Sequence, residues 1–297
     1  MVVEATKFIS PKGLVNLGNT CFFNSTLQCM LSLPLLVKFF RDTDFKEDRQ
    51  PISKAFQNFI LNYVLEKDKI INPNLFIQEI RGKIRLFDKR QQDAHSFLES
   101  FLSLLIEENE VKSSEKETKN KLLDIFTVEH KDTITCKKCF YMVEKTYKSP
   151  IQYLFIDESI NKSIINYETI EDIVDSALAW KCEKCLKKVP SGIKHKISSS
   201  SDYFVIHLNR FLNLYHKNQA NIFVDRELEI ADDRYEFVGA VLHSGDLNNG
   251  HYFSVASRSG HFYKFNDSLV DPVVPEINSS KPYILFYKKK RNPKVIL

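Results

Sequence analysis

Apolar residues recur at helical spacing through the first third of the chain and at strand spacing through most of the remainder. Residues 20–33 read as a helix, with Phe23, Leu27, Met30 and Leu31 on one face. Asn19 or Thr20 is expected to cap it and Pro34 to stop it. Residues 52–66 and 74–87 carry further helical patterns. Gln91–Ile106 is another, with Ala94, Phe97, Leu98, Phe101, Leu102 and Leu105 along one apolar face. Residues 107–121 are charged and nearly devoid of large apolar groups, which suits a mobile surface loop or a frayed helix end. Beyond Lys121 the texture changes. Thr133–Thr135, Tyr203–Leu208, Phe237–Leu242 and Tyr283–Tyr287 are rich in β-branched and aromatic residues, as strands are. A helical N-terminal half followed by a mostly β C-terminal half is an α+β layout.

Composition narrows this little. With 297 residues, 43% hydrophobic and 12% aromatic, the chain can bury a sizeable core, so disorder is not expected. The net charge of +4 is the small difference of 42 basic and 38 acidic residues, and no basic stripe interleaved with aromatics points to nucleic acid. Met1–Ser10 lacks the apolar core of a secretory signal. No stretch reaches the ~18 apolar residues of a membrane span. The expected compartment is the cytosol or nucleus, where the six cysteines should not form structural disulfides.

Four of those cysteines form two Cys-x-x-Cys pairs, Cys136/Cys139 and Cys182/Cys185. Two such turns fill a tetrahedral shell of thiolates, and four protein thiolates leave no open position, so the expected ion is a structural zinc. A thioredoxin-type redox pair needs a βα junction, whereas both pairs here are flanked by strand-like residues.

Cys21 stands at the first turn of its helix, where unpaired N–H groups and the helix dipole favour a thiolate. Taken alone, a cysteine in an apolar helix is more often a buried structural residue. Cys29 is read that way. The reason to read Cys21 otherwise lies far along the chain. His251–Ala256 and His261–Asn266 form a hairpin pattern around Ser257-Arg-Ser-Gly260. A two-residue loop at Arg258-Ser259 pairs Ala256 with His261 and sets His251 opposite Asn266. That puts an imidazole beside a carboxamide and leaves its other nitrogen for a thiol, the base and orienter of a cysteine protease. An odd-length loop would instead present Phe265 or Asp267, so Asp267 is the rival orienter. Of the other histidines, His207 reads as core or as a support behind the site, and His243 as part of a loop beside the cleft. His95 belongs to the Gln91–Ile106 helix. His130, His195, His216 and His261 read as surface or turn residues.

With these residues in view, the sequence resembles the ubiquitin-specific protease family. Gly13–Gln28 is similar to its cysteine box and Gln91–Leu98 to its Gln-Gln-Asp motif. Tyr203–Phe211 is similar to its palm strand, and Leu242–Tyr252 with Tyr263–Ser268 to its histidine box. The motifs occur in order across residues 13–287. The resemblance implies a papain-like hand: a helical thumb over about 10–122, zinc-bearing fingers over about 123–200, a palm over about 201–290 and a basic tail at 291–297. It implies that Cys21 is the nucleophile, His251 the base and Asn266 its orienter. Asn16 would donate to the oxyanion, and Asp267 would be an auxiliary polar residue. Gln91, Asp93 and Tyr252 would hold the C-terminal tail of ubiquitin, the implied partner. The implied reaction is hydrolysis of the bond after the terminal glycine of ubiquitin, through an acyl-thioester.

The pattern departs from the family at Ser96, where Glu is usual, and at Phe22 and Phe262, which replace Tyr and Trp. None of these removes a catalytic group. Two other functions fit less of the sequence: a protease for a ubiquitin-like modifier, and a non-catalytic ubiquitin-binding scaffold, against which the intact Cys21, His251 and Asn266 speak. The loop Ser244–Gly250, with a glycine near one end and at the other, is expected to be a gate. Lys288–Arg291 is expected to be a solvated tail, with a nuclear import signal as the alternative.

Overall fold

The computed structural model describes residues 9–110, 120–173, 180–213, 216–246, 249–279 and 281–291. Seven helices among these residues occupy Cys21–Met30, Pro34–Asp42, Pro51–Leu65, Asn74–Ile80, Ala94–Glu108, Lys121–Phe126 and Ile160–Tyr167. The first five build the thumb, and its core is largely phenylalanine. Phe22, Phe23, Phe56, Phe76, Phe97 and Phe101 pack edge-to-face or stacked, with Phe23 and Phe97 centred 5.2 Å apart. Such pairs add to plain burial. Phe22 is thus buried in this cluster.

Cys21–Met30 is buried along its whole length. Its polar residues are tolerated because each finds an acceptor nearby. Ser25 donates to the Cys21 carbonyl, Thr26 to that of Phe22, and Gln28 to that of Lys12. The helix stops at Met30, and Pro34 opens the next helix. A proline fits a first helical turn, which lacks an N–H partner anyway. Neither expected cap serves: Thr20 Oγ1 receives the Leu17 N–H, and Asn19 sits at φ 54°. The pattern over 74–87 yields a helix only to Ile80. Asp93 caps the helix that follows, accepting from Ser96 N at 2.7 Å. The expected loop at 107–121 is helical to Glu108 and again from Lys121, and its residues 111–119 lie outside the described residues.

The palm is an eight-stranded sheet. Its order runs Leu269–Pro272, His261–Asn266, Gly250–Arg258, Asp233–Gly245, Pro282–Lys289, Tyr203–Leu208, Gln152–Leu154, with Glu227–Ile230 also paired to Asp233–Gly245. Both faces are covered. Along Tyr203–Leu208, Tyr203 and Val205 join the thumb core, while Phe204, Ile206 and Leu208 join a second core behind the sheet. Hence the strand reads as an apolar run interrupted only by His207.

The fingers are a four-stranded antiparallel sheet of Met142–Ser149, Val128–Cys136, Ser191–Ser200 and Glu171–Ile173. Within 123–200 the chain also returns to the palm at Gln152–Leu154. The basic cluster is not a free tail. Lys288 and Lys289 belong to the last strand, and Lys288, Lys289, Lys290 and Arg291 pair with Glu236, Asp233, Glu227 and Asp202.

The hairpin carrying His251 and Asn266 differs in register from the expectation. Arg258, not Ala256, pairs with His261, and Ser254 pairs with Phe265. The turn is Ser259-Gly260, with φ of 52° and 86°. Two positive φ values make a primed hairpin turn, which a glycine accepts without strain. A slip of two residues keeps every side chain on its face, so His251 and Asn266 become diagonal rather than direct neighbours.

Candidate active site

The Cys21–Met30 helix lies against the strand Gly250–Arg258, and one buried arginine docks the two. Arg258, 3% exposed, donates to the Gln28 carbonyl and side-chain oxygens at 3.0 and 2.7 Å and to Ser32 Oγ. Its guanidinium also lies 4.7 Å from the Phe265 ring centre. Helix and strand are therefore held together by bonds that an exposed pair would not sustain.

At the other end of this strand, His251 Nε2 lies 2.6 Å from Asn266 Oδ1. With Nε2 engaged by Asn266, Nδ1 is the nitrogen left to serve the Cys21 thiol. The Cys21 thiol is the largest influence on the imidazole. Partial burial opposes it, Asn266 reinforces it, and the pKa is raised from the ordinary 6.5 to about 9. Cys29, buried beside Ser254 and Arg258, has its thiol pushed well up by burial. It has no comparable base.

Asp267 does not reach His251 in Asn266's place. Its Oδ2 accepts from Asn16 Nδ2 at 2.9 Å and its Oδ1 from Asn24 Nδ2 at 2.8 Å. Its backbone φ is 51°, a left-handed turn. Asn16 Oδ1 meanwhile accepts from the N–H groups of Gly18 and Thr20. One N–H of the Asn16 amide is thus committed to Asp267, and the second remains for another acceptor. Asn16, His251, Asn266 and Asp267 share an open cleft of about 680 Å³.

The three residues expected to bind a substrate tail are partnered with one another and with neighbours. Gln91 Nε2 donates to Asn19 Oδ1 at 3.1 Å. Asp93, besides capping its helix, accepts from the hydroxyls of Tyr252, at 3.3 Å, and Tyr283. Tyr252 is only 3% exposed and forms a floor rather than a wall. Behind that floor His95 and His207 stack with centroids 4.0 Å apart. Burial and the neighbouring His95 depress the His207 pKa to about 3. His243 is not in a loop. It is buried in Asp233–Gly245, opposite Tyr252. His130 is likewise buried, stacked on Tyr147. Leu247 and Asn248 of the expected gate lie outside the described residues.

The sequence reading assigned no role to Asn24, Tyr283 or Arg258. Arg258 carried one signal: it falls in step with Tyr252, Ser254 and Ala256 on the buried face of an alternating strand. Ser96, where the family has Glu, contributes its backbone N–H to the Asp93 cap.

At the finger tip, Cys136, Cys139, Cys182 and Cys185 bring their sulfurs within 4.8 Å of one another. Two of the separations are 3.9 Å (Cys136–Cys185) and 3.7 Å (Cys139–Cys182). A tetrahedron with ~2.3 Å metal–sulfur bonds has edges of about 3.8 Å. Each pair turns through a left-handed residue, Phe140 or Leu186, and backbone N–H groups of Lys138, Cys139 and Cys185 point at the first sulfurs. Among the described residues, only Cys136, Cys182 and Val189 are buried in the local core, so little apolar packing there holds the tip. The donor set fits a metal ion.

A family model described as ubiquitin carboxyl-terminal hydrolase matches residues 12–287. The chain is 25% identical to human ubiquitin carboxyl-terminal hydrolase 21, over 95% of this chain and 62% of that protein. It is 26% identical to human ubiquitin carboxyl-terminal hydrolase 42, over 95% of this chain and 23% of the relative. The yeast (Saccharomyces cerevisiae) ubiquitin carboxyl-terminal hydrolase 5 is 25% identical over 93% of this chain and 44% of its own length. The fold is similar to that of the SAGA DUB module Ubp8/Sgf11/Sus1/Sgf73 bound to ubiquitin aldehyde, with a TM-score of 0.81 at 20% identity. That match covers 97% of this chain and 71% of the other.

Proposed function

This chain belongs to the ubiquitin carboxyl-terminal hydrolase family, and from that premise we propose that it is a cysteine deubiquitinase. It hydrolyses the peptide or isopeptide bond after the C-terminal glycine of ubiquitin. The observation that carries the proposal is His251, held by Asn266 at 2.6 Å and influenced most strongly by the Cys21 thiol.

The chemistry follows from that arrangement. His251 holds the proton of Cys21, and the sulfur attacks the carbonyl carbon of the terminal glycine. The carbonyl oxygen becomes an oxyanion, which the free N–H of Asn16 and the backbone at the start of the Cys21 helix receive. Asp267 orients that donor through the 2.9 Å bond to Asn16. The C–N bond breaks as His251 gives its proton to the departing amine, leaving ubiquitin as a thioester on Cys21. Water then attacks the thioester carbonyl and loses a proton to His251. The C–S bond breaks and the ubiquitin carboxylate leaves. Asn266 keeps the imidazole in one orientation throughout.

Gln91, Asp93 and Tyr252 line the path of the ubiquitin tail, with Asp93 offering negative charge to its basic side chains. Tyr283 shares Asp93 with Tyr252 and belongs to the same floor. The metal at the finger tip is zinc, one per chain and structural. A cytosolic or nuclear location suits six cysteines that form no disulfide.

Incubation with isopeptide-linked diubiquitin tests the reading. Wild type should release free ubiquitin, and Cys21→Ala should not. A parallel panel of ubiquitin-like modifiers carrying the same leaving group separates a deubiquitinase from a protease for a ubiquitin relative. An inert wild type that still binds ubiquitin would make the chain a scaffold.

A further inference from the structure

We infer that Lys217 is a positioning residue. It latches the end of the Asp233–Gly245 strand and thereby shapes the channel for the ubiquitin tail. The inference rests on the deubiquitinase reading above.

Lys217 comes from a separate two-stranded ribbon, Phe211–Asn213 paired with His216–Lys217. Its ammonium reaches across to the end of the Asp233–Gly245 strand, which pairs with the start of the His251 strand. There it meets three acceptors: His243 Nδ1 at 2.9 Å, the His243 carbonyl at 3.1 Å and the Gly245 carbonyl at 2.9 Å. An ammonium has three N–H donors and no acceptor, so the three contacts use it fully. They also require an unprotonated His243 Nδ1. Burial first, and then the Lys217 charge, depress the His243 pKa to about 4, which keeps that nitrogen an acceptor at neutral pH. Phe211 of the same ribbon packs edge-on to His243, so the latch is anchored at its base.

The held segment is the one that must not move. Gly245 pairs with Gly250, the residue before His251. Gly250 lies so close on the His243 ring that a Cβ there would meet His243 Nε2 at 2.0 Å. His243 also packs on Tyr252 with centroids 4.5 Å apart, and Tyr252 donates to Asp93. Lys217 therefore fixes one ring that supports Gly250, next to His251, on one side and the Tyr252–Asp93 floor on the other. The imidazole of His251 has its own anchor in Asn266, independent of the latch. Loosening the latch should disturb tail binding more than the chemical step.

Lys217 is a half-buried surface residue, so Lys217→Met keeps the side-chain volume without threatening the fold. In hydrogen exchange, amides of 243–251 in this variant should exchange at least tenfold faster than in wild type, with the finger sheet unchanged. With ubiquitin carrying a C-terminal fluorogenic amide, KM should rise about tenfold while kcat stays within about twofold. Alkylation of Cys21 by iodoacetamide should keep its rate. Unchanged exchange at 243–251 would overturn the latch, and so would a fall in kcat at constant KM. If wild type does not cleave the amide, the deubiquitinase reading fails, and the exchange experiment alone decides for or against the latch.

Discussion

Asn266 Oδ1 lies 2.6 Å from His251 Nε2, while Asp267, the next residue, turns the other way to receive the amides of Asn16 and Asn24. Two adjacent polar residues thus serve two separate groups, the His251 imidazole and the Asn16 amide. Their substitutions should separate. Asn266→Ala should lower kcat by roughly 10²-fold or more with little change in KM, as loss of an orienting group does. Asp267→Ala should lower kcat about tenfold through the released Asn16 and also lower stability by about 1–3 kcal/mol. Steady-state kinetics with chemical denaturation on both variants checks this. Equal kinetic defects would contradict the division of labour.

The His251 pKa of about 9 has a pH consequence. Its folded value lies above the ordinary 6.5, so the stabilising contact with Cys21 is fully present below about pH 6.5 and is lost as pH rises through about 9. Activity should therefore fall on an alkaline limb near pH 9, as the leaving amine loses its acid. Because the bond to Cys21 is the largest cause, Cys21→Ala should return the imidazole toward 6.5, and Asn266→Ala should shift it less. NMR titration of the His251 ring in both variants reads the order directly.

Gly13 presses the cysteine segment onto the histidine hairpin. A Cβ at this position would lie 2.4 Å from the Ser268 carbonyl oxygen, and Leu14 N donates to the Asp267 carbonyl at 2.8 Å. The crowded atoms are all backbone and cannot swing aside. Gly13→Ala should push the Asp267–Ser268 turn away and lower kcat/KM at least about tenfold, since small misplacements of reacting groups are costly. Gly82, with nothing within 4 Å of a built Cβ, is the control, and Gly82→Ala should leave kcat/KM within about twofold.

The finger tip should carry one zinc per chain by elemental analysis. Its removal by a strong chelator, or Cys182→Ser, should lower the melting temperature and loosen amide exchange in Val128–Cys136 and Ser191–Ser200, because the tip has too small a core of its own. A metal-free protein with an unaltered finger sheet would exclude the metal.

The parts legible in the sequence were those in which the local pattern and the tertiary need agree. Cys21 heads a helix, the two Cys-x-x-Cys pairs share one site, and strands such as Tyr203–Leu208 advertise burial on both faces. The hairpin register was legible only to the face. A two-residue slip preserves alternation, and the choice between Arg258-Ser259 and Ser259-Gly260 as the turn depends on burying Arg258 against Gln28 and Ser32, which local pattern does not show. Pro34 and the cluster Lys288–Arg291 misled for a related reason. A proline both ends and begins helices, and a basic run is a strand end when acidic partners from Glu236 to Asp202 converge on it. Lys217 and Tyr283 carry no motif at all; their contacts come from chain segments tens of residues away.

The central claim is that Cys21 attacks the terminal carbonyl of ubiquitin with His251 as its base. Its most direct test is to mix the protein with ubiquitin bearing a C-terminal electrophile and locate the adduct by mass spectrometry. The account predicts one ubiquitin per chain attached to Cys21, none in Cys21→Ala, and labelling slowed at least about tenfold in His251→Ala. A folded wild-type protein that takes no label, or takes it on Cys29 or a finger cysteine, would contradict the account.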